Sequence, residues 1–408
     1  MNILILTNHF KPESFRINDL SNGLVERGHG VSVMTSIPNY PLGKFFDGYG
    51  IMKRRKEVVD SISIQRVPVV PRGDGSSLRL ALNYISSCLS FCTMALFSKK
   101  KFDVVFVFGT SPLTICLPAI IIKLKHKTPI VLWVLDLWPE SLSAAGGIHN
   151  CIVLGFIRKV IEFSYRKSDK ILVSCKGFIH KIQPALQSTE VCVEYFPNWI
   201  ESEISNGIGT NSSLPNLPGG FNIVFTGNVG EAQDWRKVVA AAKELRNVGD
   251  VNWIIVGEGR KSDWLKRAVH THALEGKFHL VGRFPIEMMS HFYDGASCLL
   301  LTLNNSENFK LTVPGKLQSY MASGKPVIAA LEGEGAEVVK EAQCGVVCQT
   351  NTSAELVNSI MKIYHMSEFD RNKLGANGLA YSEKNFSRGK LFNKVEEILE
   401  KCVNSHVG

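Results

Sequence analysis

The chain has 408 residues, 45% of them hydrophobic, and a formal net charge of +9 at pH 7. This length exceeds what one hydrophobic core usually supports and predicts two domains. The ten cysteines lack metal-site spacing and no secretion signal precedes the first apolar run, so we expect reduced cytosolic thiols rather than a disulfide framework.

The positive charge is concentrated in the first half of the chain. Residues 1–200 contain 24 Lys and Arg against 14 Asp and Glu, whereas the remainder contains 22 against 23. Such a charged half faces either nucleic acid or an anionic membrane surface. No helix-turn-helix, zinc-finger or RNA-recognition signature accompanies it, so the membrane is favoured and no nucleic-acid partner is expected.

Apolar runs alternate with helical stretches along the first half, which predicts a parallel sheet buried on both faces. Strand candidates are 2–7, 31–35, 103–108, 130–135, 170–173 and 191–195, and helix candidates are 15–27, 78–98, 112–124, 152–167 and 176–186. Residues 51–68 resemble an additional antiparallel hairpin.

A stretch rich in Ser, Asn, Gly and Pro at 201–220 predicts a linker, after which strands and helices alternate again. We therefore expect an α/β fold of two doubly wound Rossmann-like domains, 1–200 and 221–382, facing a cleft. A final helix at 383–408 is expected to pack back on the first domain. Ligands of such sheets bind at the carboxyl ends of the strands.

The helix at 78–98 is long enough to span a bilayer, but Asn83 and four serines lie inside it. Three interpretations remain open: a core helix with a membrane-facing edge, a helix lying in the membrane interface, or a span.

Two loops of the first half follow buried strands and carry charge. Asp136 ends the strand at 130–135, with Glu140 nearby, and it either faces the ligand or caps the next helix. Glu13 and Arg16 follow the first strand. Glu13 or Ser14 could simply cap the helix, but Arg16 in a first turn opposes the helix dipole and suggests an anionic partner.

The second half offers three loops of this kind. Gly227 and Gly230 end its first strand and allow close backbone approach to a phosphate, although a tight turn would use the same residues. The segment 256–260 resembles a dinucleotide fingerprint without its third glycine and is interpreted as a turn. Arg283 follows the next strand and is either a base or phosphate ligand or a solvent-exposed side chain.

The segment 312–329 is the most informative of the chain. Pro314 and Gly315 precede a short helix, whose first amides and Lys316 form an expected anion site. Gly324 is expected to end that helix in the left-handed conformation, ahead of a buried strand.

Several familiar catalytic motifs are absent from the sequence. It contains no P-loop, no G-x-S-x-G elbow, no H-E-x-x-H and no Asp-x-Asp pair. A diphosphate site without a metal must use helix N-termini and Lys or Arg, so neither a metal nor a cofactor is expected.

The motifs together resemble those of bacterial family 4 glycosyltransferases of the GT-B fold. The segments carrying this resemblance are the amino terminus NILILTNHFKPE, LDLWPES at 135–141, FPNW at 196–199, FTGNVGEAQD at 225–234 and TVPGKLQSYMASGKPVIA at 312–329. They look like the subgroup that builds O-antigen and capsule repeats, and in particular like L-fucosamine (N-acetylfucosamine) transferases.

The resemblance implies a retaining transfer, with a UDP-sugar held by the second domain and an undecaprenyl-diphosphate-linked sugar by the first. The reduced thiols, the basic first half and the helix at 78–98 predict a cytoplasmic protein, peripherally associated with the inner face of the cytoplasmic membrane. The expected catalytic residues are Asp136 and Glu13, and Arg16 and Glu140 are expected to bind the acceptor. The expected donor-binding residues are Gly227, Asn228, Gly230, Arg283, Lys310, Thr312, Gly315, Lys316 and Ser319.

The sequence also departs from the family pattern. Where many members carry a Glu-x7-Glu pair, this chain has Leu311 and Ser319, and Asn228 replaces a common phosphate-binding Arg. We hypothesise that Lys310 or Lys316 compensates. Two other readings stay open, a UDP-sugar epimerase-like enzyme on the same scaffold and a partner subunit that has lost activity.

Overall fold

The computed structural model describes residues 1–73, 75–142, 150–187, 189–200, 215–348 and 352–407. The chain forms two compact units: the first comprises Met1–Pro197 and the chain from Gly389 onward, and the second comprises Asn198–Arg388. Most of the predicted linker, residues 201–214, lies outside the described residues.

Among its described residues, the first unit contains eight strands and, before the final helix of the chain, five α-helices. The strands are β1 (Asn2–Thr7), β2 (Gly30–Ser36), β3 (Lys56–Val59), β4 (Ile62–Val67), β5 (Val104–Gly109), β6 (Ile130–Val134), β7 (Lys170–Val173) and β8 (Cys192–Tyr195). The helices are α1 (Arg16–Glu26), α2 (Ser77–Phe97), α3 (Cys116–His126), α4 (Cys151–Lys167) and α5 (Gly177–Ile182).

These strands form one sheet in the order β3-β4-β2-β1-β5-β6-β7-β8. Every neighbouring pair is parallel except β3 and β4, which form the antiparallel hairpin predicted within 51–68. β5 and β6 are buried along their whole length, as expected for apolar strands covered on both faces.

The second unit repeats this plan with six strands. They are β9 (Phe221–Thr226), β10 (Val251–Val256), β11 (Phe278–Gly282), β12 (Cys298–Thr302), β13 (Val327–Ala330) and β14 (Gly345–Val347), all parallel, in the order β11-β10-β9-β12-β13-β14. Its described helices are α6 (Trp235–Glu244), α7 (Ser262–Thr271), α8 (Met289–Asp294), α9 (Glu307–Lys310), α10 (Lys316–Ala322), α11 (Glu334–Glu341), α12 (Ser353–Tyr364) and α13 (Glu368–Asn385). The two predicted Rossmann-like α/β domains are confirmed.

The last helix, α14 (Arg388–Val407), belongs to the first unit from Gly389 onward. Glu396 on this helix lies 2.8 Å from Nε2 of His29 and 3.5 Å from Nε of Arg27. Lys394 forms a 2.9 Å ion pair with Glu194. Helix α14 therefore packs against the unit that contains the first residues of the chain.

The strand order places a topological switch point in each sheet. In the first unit the chain runs outward from β1 through β2 on one side and continues through β5 on the other. In the second unit β9 and β12 stand in the same relation. Ligands of open α/β sheets bind outside the carboxyl ends of the strands at such points. The loops after β1, β5, β9 and β12 are therefore where functional side chains are sought.

Helix α2 has two different faces. Asn83, Ser87, Phe91 and Ala95, each four residues apart, are buried and lie on the side that packs within the unit. The opposite side exposes an apolar stripe of Leu78, Leu82, Ile85, Leu89, Leu96 and Phe97. Among the described residues it is the one helix long and apolar enough to cross a membrane, judged by length and composition alone.

Candidate functional site

The loop after β1 brings a carboxylate and an imidazole into the interior of the first unit. Glu13 is 3% exposed, and its Oε2 lies 2.9 Å from Nδ1 of His9. Its Oε1 accepts hydrogen bonds from the backbone N–H groups of Asn39, at 2.8 Å, and Tyr40, at 2.7 Å. Glu13 therefore fastens the loop after β2 to the loop after β1.

The other side of His9 fixes its tautomer. Nη2 of Arg72 lies 3.1 Å from Nε2 of His9, and a guanidinium can only donate. Nε2 must therefore accept, and the proton of the neutral ring sits on Nδ1, from which it is donated to Glu13. Burial lowers the pKa of His9, although Glu13 acts in the opposite direction. His9 is also stacked on Phe15, with ring centroids 4.6 Å apart.

Asp136 is held at the neighbouring strand ends. Its Oδ2 accepts from the backbone N–H of Ser111 at 3.3 Å and from the Ser111 hydroxyl at 3.2 Å. The same hydroxyl accepts from Nε1 of Trp138 at 2.7 Å. Burial raises the pKa of Asp136, and the hydrogen bonds from Ser111 oppose that shift.

The two clusters of the first unit are neighbours. The ring of Tyr84, on α2, lies 5.6 Å from that of Trp138 and 5.8 Å from the guanidinium of Arg72. The side-chain amide of Asn8, after β1, donates to the carbonyl of Pro112, after β5, at 3.0 Å. The loops at the switch point are thereby joined.

The other residues predicted in this unit are placed differently. Arg16 is partly buried and begins α1, and the N-cap of that helix is Phe15, with no side-chain capping bond. The alternative in which Glu13 or Ser14 caps α1 is therefore wrong. Glu140 lies 3.4 Å from Arg158 on α4.

In the second unit, glycines let two loops pack backbone against backbone. Gly227 follows β9 with φ +119° and Gly257 follows β10 with φ +140°. A Cβ on Gly257 would lie 1.8 Å from the Gly227 carbonyl oxygen, and one on Gly259 would lie 2.3 Å from that of Val229. Only glycine allows this approach. The turn interpretation of 256–260 agrees with this packing.

Helix α10 is fastened to the end of β9. The hydroxyl of Tyr320 accepts from the backbone N–H of Thr226 at 2.9 Å, and Thr226 Oγ1 lies 3.2 Å from the hydroxyl of Tyr293. The first residue of α10, Lys316, is thereby brought under the loop that starts at Gly227. A Cβ on Gly227 would lie 3.1 Å from Nζ of Lys316.

The ammonium group of Lys316 has an unusual environment. Its Nζ is buried, lies 3.7 Å from the centroid of the Phe225 ring, and has no hydrogen-bond partner in the described part of the chain. Burial lowers the pKa of Lys316 to about 7. An ion in such a place is unfavourable unless it is paired, so the position is suited to an incoming anion.

The remaining predicted residues of this unit lie on α10 or in the loops that follow the strands. Gly315 is the N-cap of α10, Ser319 is buried in that helix, and Gly324 beyond its end has φ +68°, as predicted. Gly230 donates its N–H to Gln233 at 3.0 Å. Asn228 and Arg283 are exposed.

Lys310 and Thr312 already have partners. Lys310 forms ion pairs with Glu307 at 3.0 Å and Glu332 at 3.2 Å, and the hydroxyl of Thr312 donates to the Phe309 carbonyl at 2.9 Å. Lys316 is thus the better candidate of the two lysines for an anion ligand. Among the described residues, no group of three or more His, Cys, Asp or Glu could hold a metal ion.

Sequence reasoning missed His9, Arg72, Tyr84 and Tyr320. His9 lies two residues after the end of β1, as Asp136 does after β6, so the rule applied to Asp136 would have found it. Arg72 comes from a loop that follows no strand of the switch point, and its approach to His9 depends on how the chain returns from β4 to α2. No local sequence pattern predicts the path of this loop.

The fold is shared with solved sugar-transferring enzymes. Sucrose-phosphate synthase from Thermosynechococcus elongatus superposes with a TM-score of 0.74 at 13% identity, covering 99% of both chains. Anabaena HepE in complex with UDP superposes with a TM-score of 0.66 at 14% identity, covering 98% of this chain and 100% of that one. A trehalose-6-phosphate structure from E. coli with UDP-2-fluoro glucose bound superposes with a TM-score of 0.70 at 12% identity, covering 98% of this chain and 99% of that one. The chain therefore has the GT-B fold of glycosyltransferases.

Family models then narrow the assignment. A model described as a glycosyl transferase 4-like domain matches residues 14–199, and one described as glycosyl transferases group 1 matches residues 220–366. The first half of the chain therefore carries a glycosyl transferase 4-like domain, the second half a glycosyl transferases group 1 domain, and the chain is a glycosyltransferase enzyme.

Its curated relatives carry glycosyltransferase names. It is 26% identical over 299 residues to a protein of Pseudomonas aeruginosa named probable glycosyltransferase WbjE, covering 71% of this chain and 72% of the relative. It is 22% identical over 377 residues, or 86% of each chain, to E. coli WcaI, whose name assigns it to colanic acid biosynthesis. These names do not include a fucosamine transferase.

Proposed function

We propose that this enzyme transfers a sugar from a UDP-sugar to a lipid-linked acceptor, with retention of anomeric configuration, in the synthesis of a surface polysaccharide such as O-antigen or capsule. The preferred donor is UDP-N-acetyl-L-fucosamine, and the preferred acceptor is an undecaprenyl-diphosphate-linked sugar. The observation that carries the proposal is the buried ammonium group of Lys316 beneath Gly227, which has no hydrogen-bond partner in the part of the chain that the structure describes.

A nucleoside diphosphate supplies the anion that Lys316 lacks. Charge-assisted hydrogen bonds from lysine to phosphate are about twice as strong as neutral ones, and they are favoured further where water is excluded. The loop that starts at Gly227 passes beside this ammonium group, since a Cβ on Gly227 would lie 3.1 Å from Nζ of Lys316. The UDP-containing structures with this fold support a UDP-linked donor.

Retention follows from a displacement in which the acceptor attacks from the face that the diphosphate leaves. The leaving diphosphate helps to accept the acceptor proton, and Lys316 stabilises the negative charge that develops on it. Asp136 would orient acceptor hydroxyls. Since Glu13 is fully engaged by His9, Asn39 and Tyr40, its role in this scheme is to hold the loops in place.

The lipid-linked acceptor is supported by features of the first unit. This unit carries the excess of basic residues, and α2 exposes its apolar stripe beside Lys99, Lys100 and Lys101. Such a combination favours an anionic membrane surface. We therefore place the enzyme at the cytoplasmic face of the membrane, bound peripherally. The relatives WbjE and WcaI, through the colanic acid name of the latter, support a role in polysaccharide synthesis.

The test is sugar transfer to undecaprenyl-diphosphate-N-acetylglucosamine with a panel of UDP-sugars that includes UDP-N-acetyl-L-fucosamine. We expect product with one donor in the wild type and a large loss in Asp136→Asn. Turnover of the donor without an acceptor would instead indicate an epimerase. UDP binding without turnover of any donor would indicate an inactive partner subunit.

Membrane binding is tested separately by co-sedimentation with vesicles. We expect the wild type to bind vesicles that contain phosphatidylglycerol and to bind phosphatidylcholine vesicles weakly. A Leu82→Gln, Leu89→Gln variant alters only exposed positions of α2 and should lose this binding. Equal binding of both proteins would contradict the assignment of the stripe.

A further inference from the structure

One charged side chain of the first unit has no part in the scheme above. Arg72 lies in the loop between β4 and α2, with its guanidinium carbon 5.3 Å from the ring centroid of Tyr40 and 5.8 Å from that of Tyr84. Its Nη2 donates to Nε2 of His9 at 3.1 Å. Two aromatic faces and one imidazole therefore orient this guanidinium.

These contacts do not neutralise its charge. His9 accepts from Arg72 as a neutral ring, and both oxygens of Glu13 are engaged by His9 and by the amides of Asn39 and Tyr40. In the described part of the chain no carboxylate pairs with Arg72, and its Nε is buried without a hydrogen-bond partner. A guanidinium held in this way is prepared for a bidentate anion.

We propose that Arg72 binds a phosphate group of the lipid-linked acceptor and that His9, Tyr40 and Tyr84 shape this phosphate subsite. The inference deepens the proposed function, on which it rests. Arg72 contacts the ligand, whereas His9 and Glu13 are positioning residues that hold the guanidinium through a continuous line of hydrogen bonds.

The choice of a phosphate attached to a lipid comes from α2. This helix contributes Tyr84 to the subsite and exposes the stripe that begins with Leu78 and Leu82 on another side. Arg72 lies only five residues before the start of α2 at Ser77. A lipid phosphate whose chain lies along the stripe would thus have its anionic group at the same end of the helix as Arg72.

The test uses the full-length protein saturated with UDP, so that the anion site at Lys316 is occupied. Binding of farnesyl diphosphate, farnesol and inorganic pyrophosphate is measured by calorimetry for the wild type, Arg72→Gln, Arg72→Lys and Lys181→Gln. Lys181 is an exposed lysine of α5 and serves as the control for loss of one positive charge.

We expect farnesyl diphosphate to bind the wild type and the control alike, and Arg72→Gln about 10- to 100-fold more weakly. Arg72→Lys should recover part of the affinity. Binding of inorganic pyrophosphate as tight as that of farnesyl diphosphate would indicate a free anion site and overturn the lipid assignment. Unchanged affinity in Arg72→Gln, or an equal loss for farnesol, would overturn the subsite.

Transfer assays separate this inference from the proposed function. We expect Arg72→Gln to raise KM for the diphosphate-linked acceptor while leaving KM for an alkyl glycoside of the same sugar and the affinity for UDP unchanged. Absence of transfer to every acceptor would defeat the proposed function, but Arg72-dependent binding of farnesyl diphosphate would still support the subsite. Thermal unfolding of each variant shows whether it is folded.

Discussion

Each of the two sheets has a switch point at its carboxyl edge, but the buried charged groups at the two edges differ in their hydrogen-bond partners. At the first, Glu13 is satisfied by three donors and Asp136 by two. At the second, the Nζ of Lys316 is buried over the face of Phe225 and has no hydrogen-bond partner among the described residues. The buried carboxylates of the first edge thus have hydrogen-bond donors, whereas the buried ammonium of the second edge has no hydrogen-bond partner among the described residues.

This difference distinguishes buried charges that stabilise the fold from buried charges that are suited to bind a ligand. A buried charge with all its partners holds loops together, and removing one partner leaves the others unpaired. A buried charge without a partner costs stability, and a ligand that supplies the partner recovers that free energy. Substitutions at Glu13 and Lys316 should therefore change stability in opposite directions.

The largest effect is expected at Lys316. Lys316→Met keeps most of the side-chain volume but removes the ammonium, so UDP affinity should fall about 10- to 100-fold, as measured by calorimetry. The melting temperature of the unliganded protein should rise, because the substitution removes a buried cation that has no hydrogen-bond partner among the described residues.

Two lysines provide the controls for this substitution. Lys266, exposed on α7, controls for the loss of one charge, and Lys266→Met should leave UDP affinity unchanged. Lys310→Met should weaken binding less than Lys316→Met, because Glu307 and Glu332 already pair with Lys310. If the Lys310, Lys316 double variant bound UDP like the wild type, neither lysine would be a phosphate ligand.

Glu13→Gln should have the opposite effect on stability. The amide oxygen can still accept from Asn39 and Tyr40, but the amide nitrogen then donates toward Nδ1 of His9. His9 can satisfy it only by moving its proton to Nε2, where that proton meets the Nη2 donor of Arg72. We expect a loss of about 1–3 kcal/mol in urea unfolding with little change in UDP affinity. A variant as stable as the wild type would show that this line of bonds is not structural.

Gly227→Ala tests how closely the loop approaches Lys316. The new Cβ would lie 3.1 Å from Nζ on a backbone with φ +119°, so both crowding and strain are introduced. We expect a cost of about 1–2 kcal/mol in stability and weaker UDP binding. Gly276→Ala is the matched control, because its Cβ would meet nothing within 4 Å. Equal effects of the two substitutions would contradict a close approach of the Gly227 loop to Lys316.

The sequence predicted the strands well, because β5 and β6 are unbroken apolar runs, and β9 and β10 are apolar runs that each contain one asparagine at the second position. It also located Lys316, since a Pro-Gly pair, a short helix and Gly324 form one local pattern. Tyr320 could not be predicted as the residue that fastens α10 to β9, nor Arg72 as the partner of His9. Both contacts join residues more than 60 positions apart, and no periodicity specifies them.

The smallest expected effect is a pH dependence of stability and of UDP affinity, which arises from Lys316 at the second edge. Burial lowers the pKa of Lys316 to about 7, so between pH 7 and its usual range the unfolded chain binds more protons than the folded chain. The contribution of Lys316 to stability therefore rises with pH over this window. UDP requires the ammonium form, so its affinity should fall about threefold from pH 6.5 to 7.5 relative to that of Lys316→Met, with proton uptake on binding. Calorimetry in two buffers of different ionisation enthalpy measures that uptake, and its absence would show that the ammonium is already stable before UDP binds.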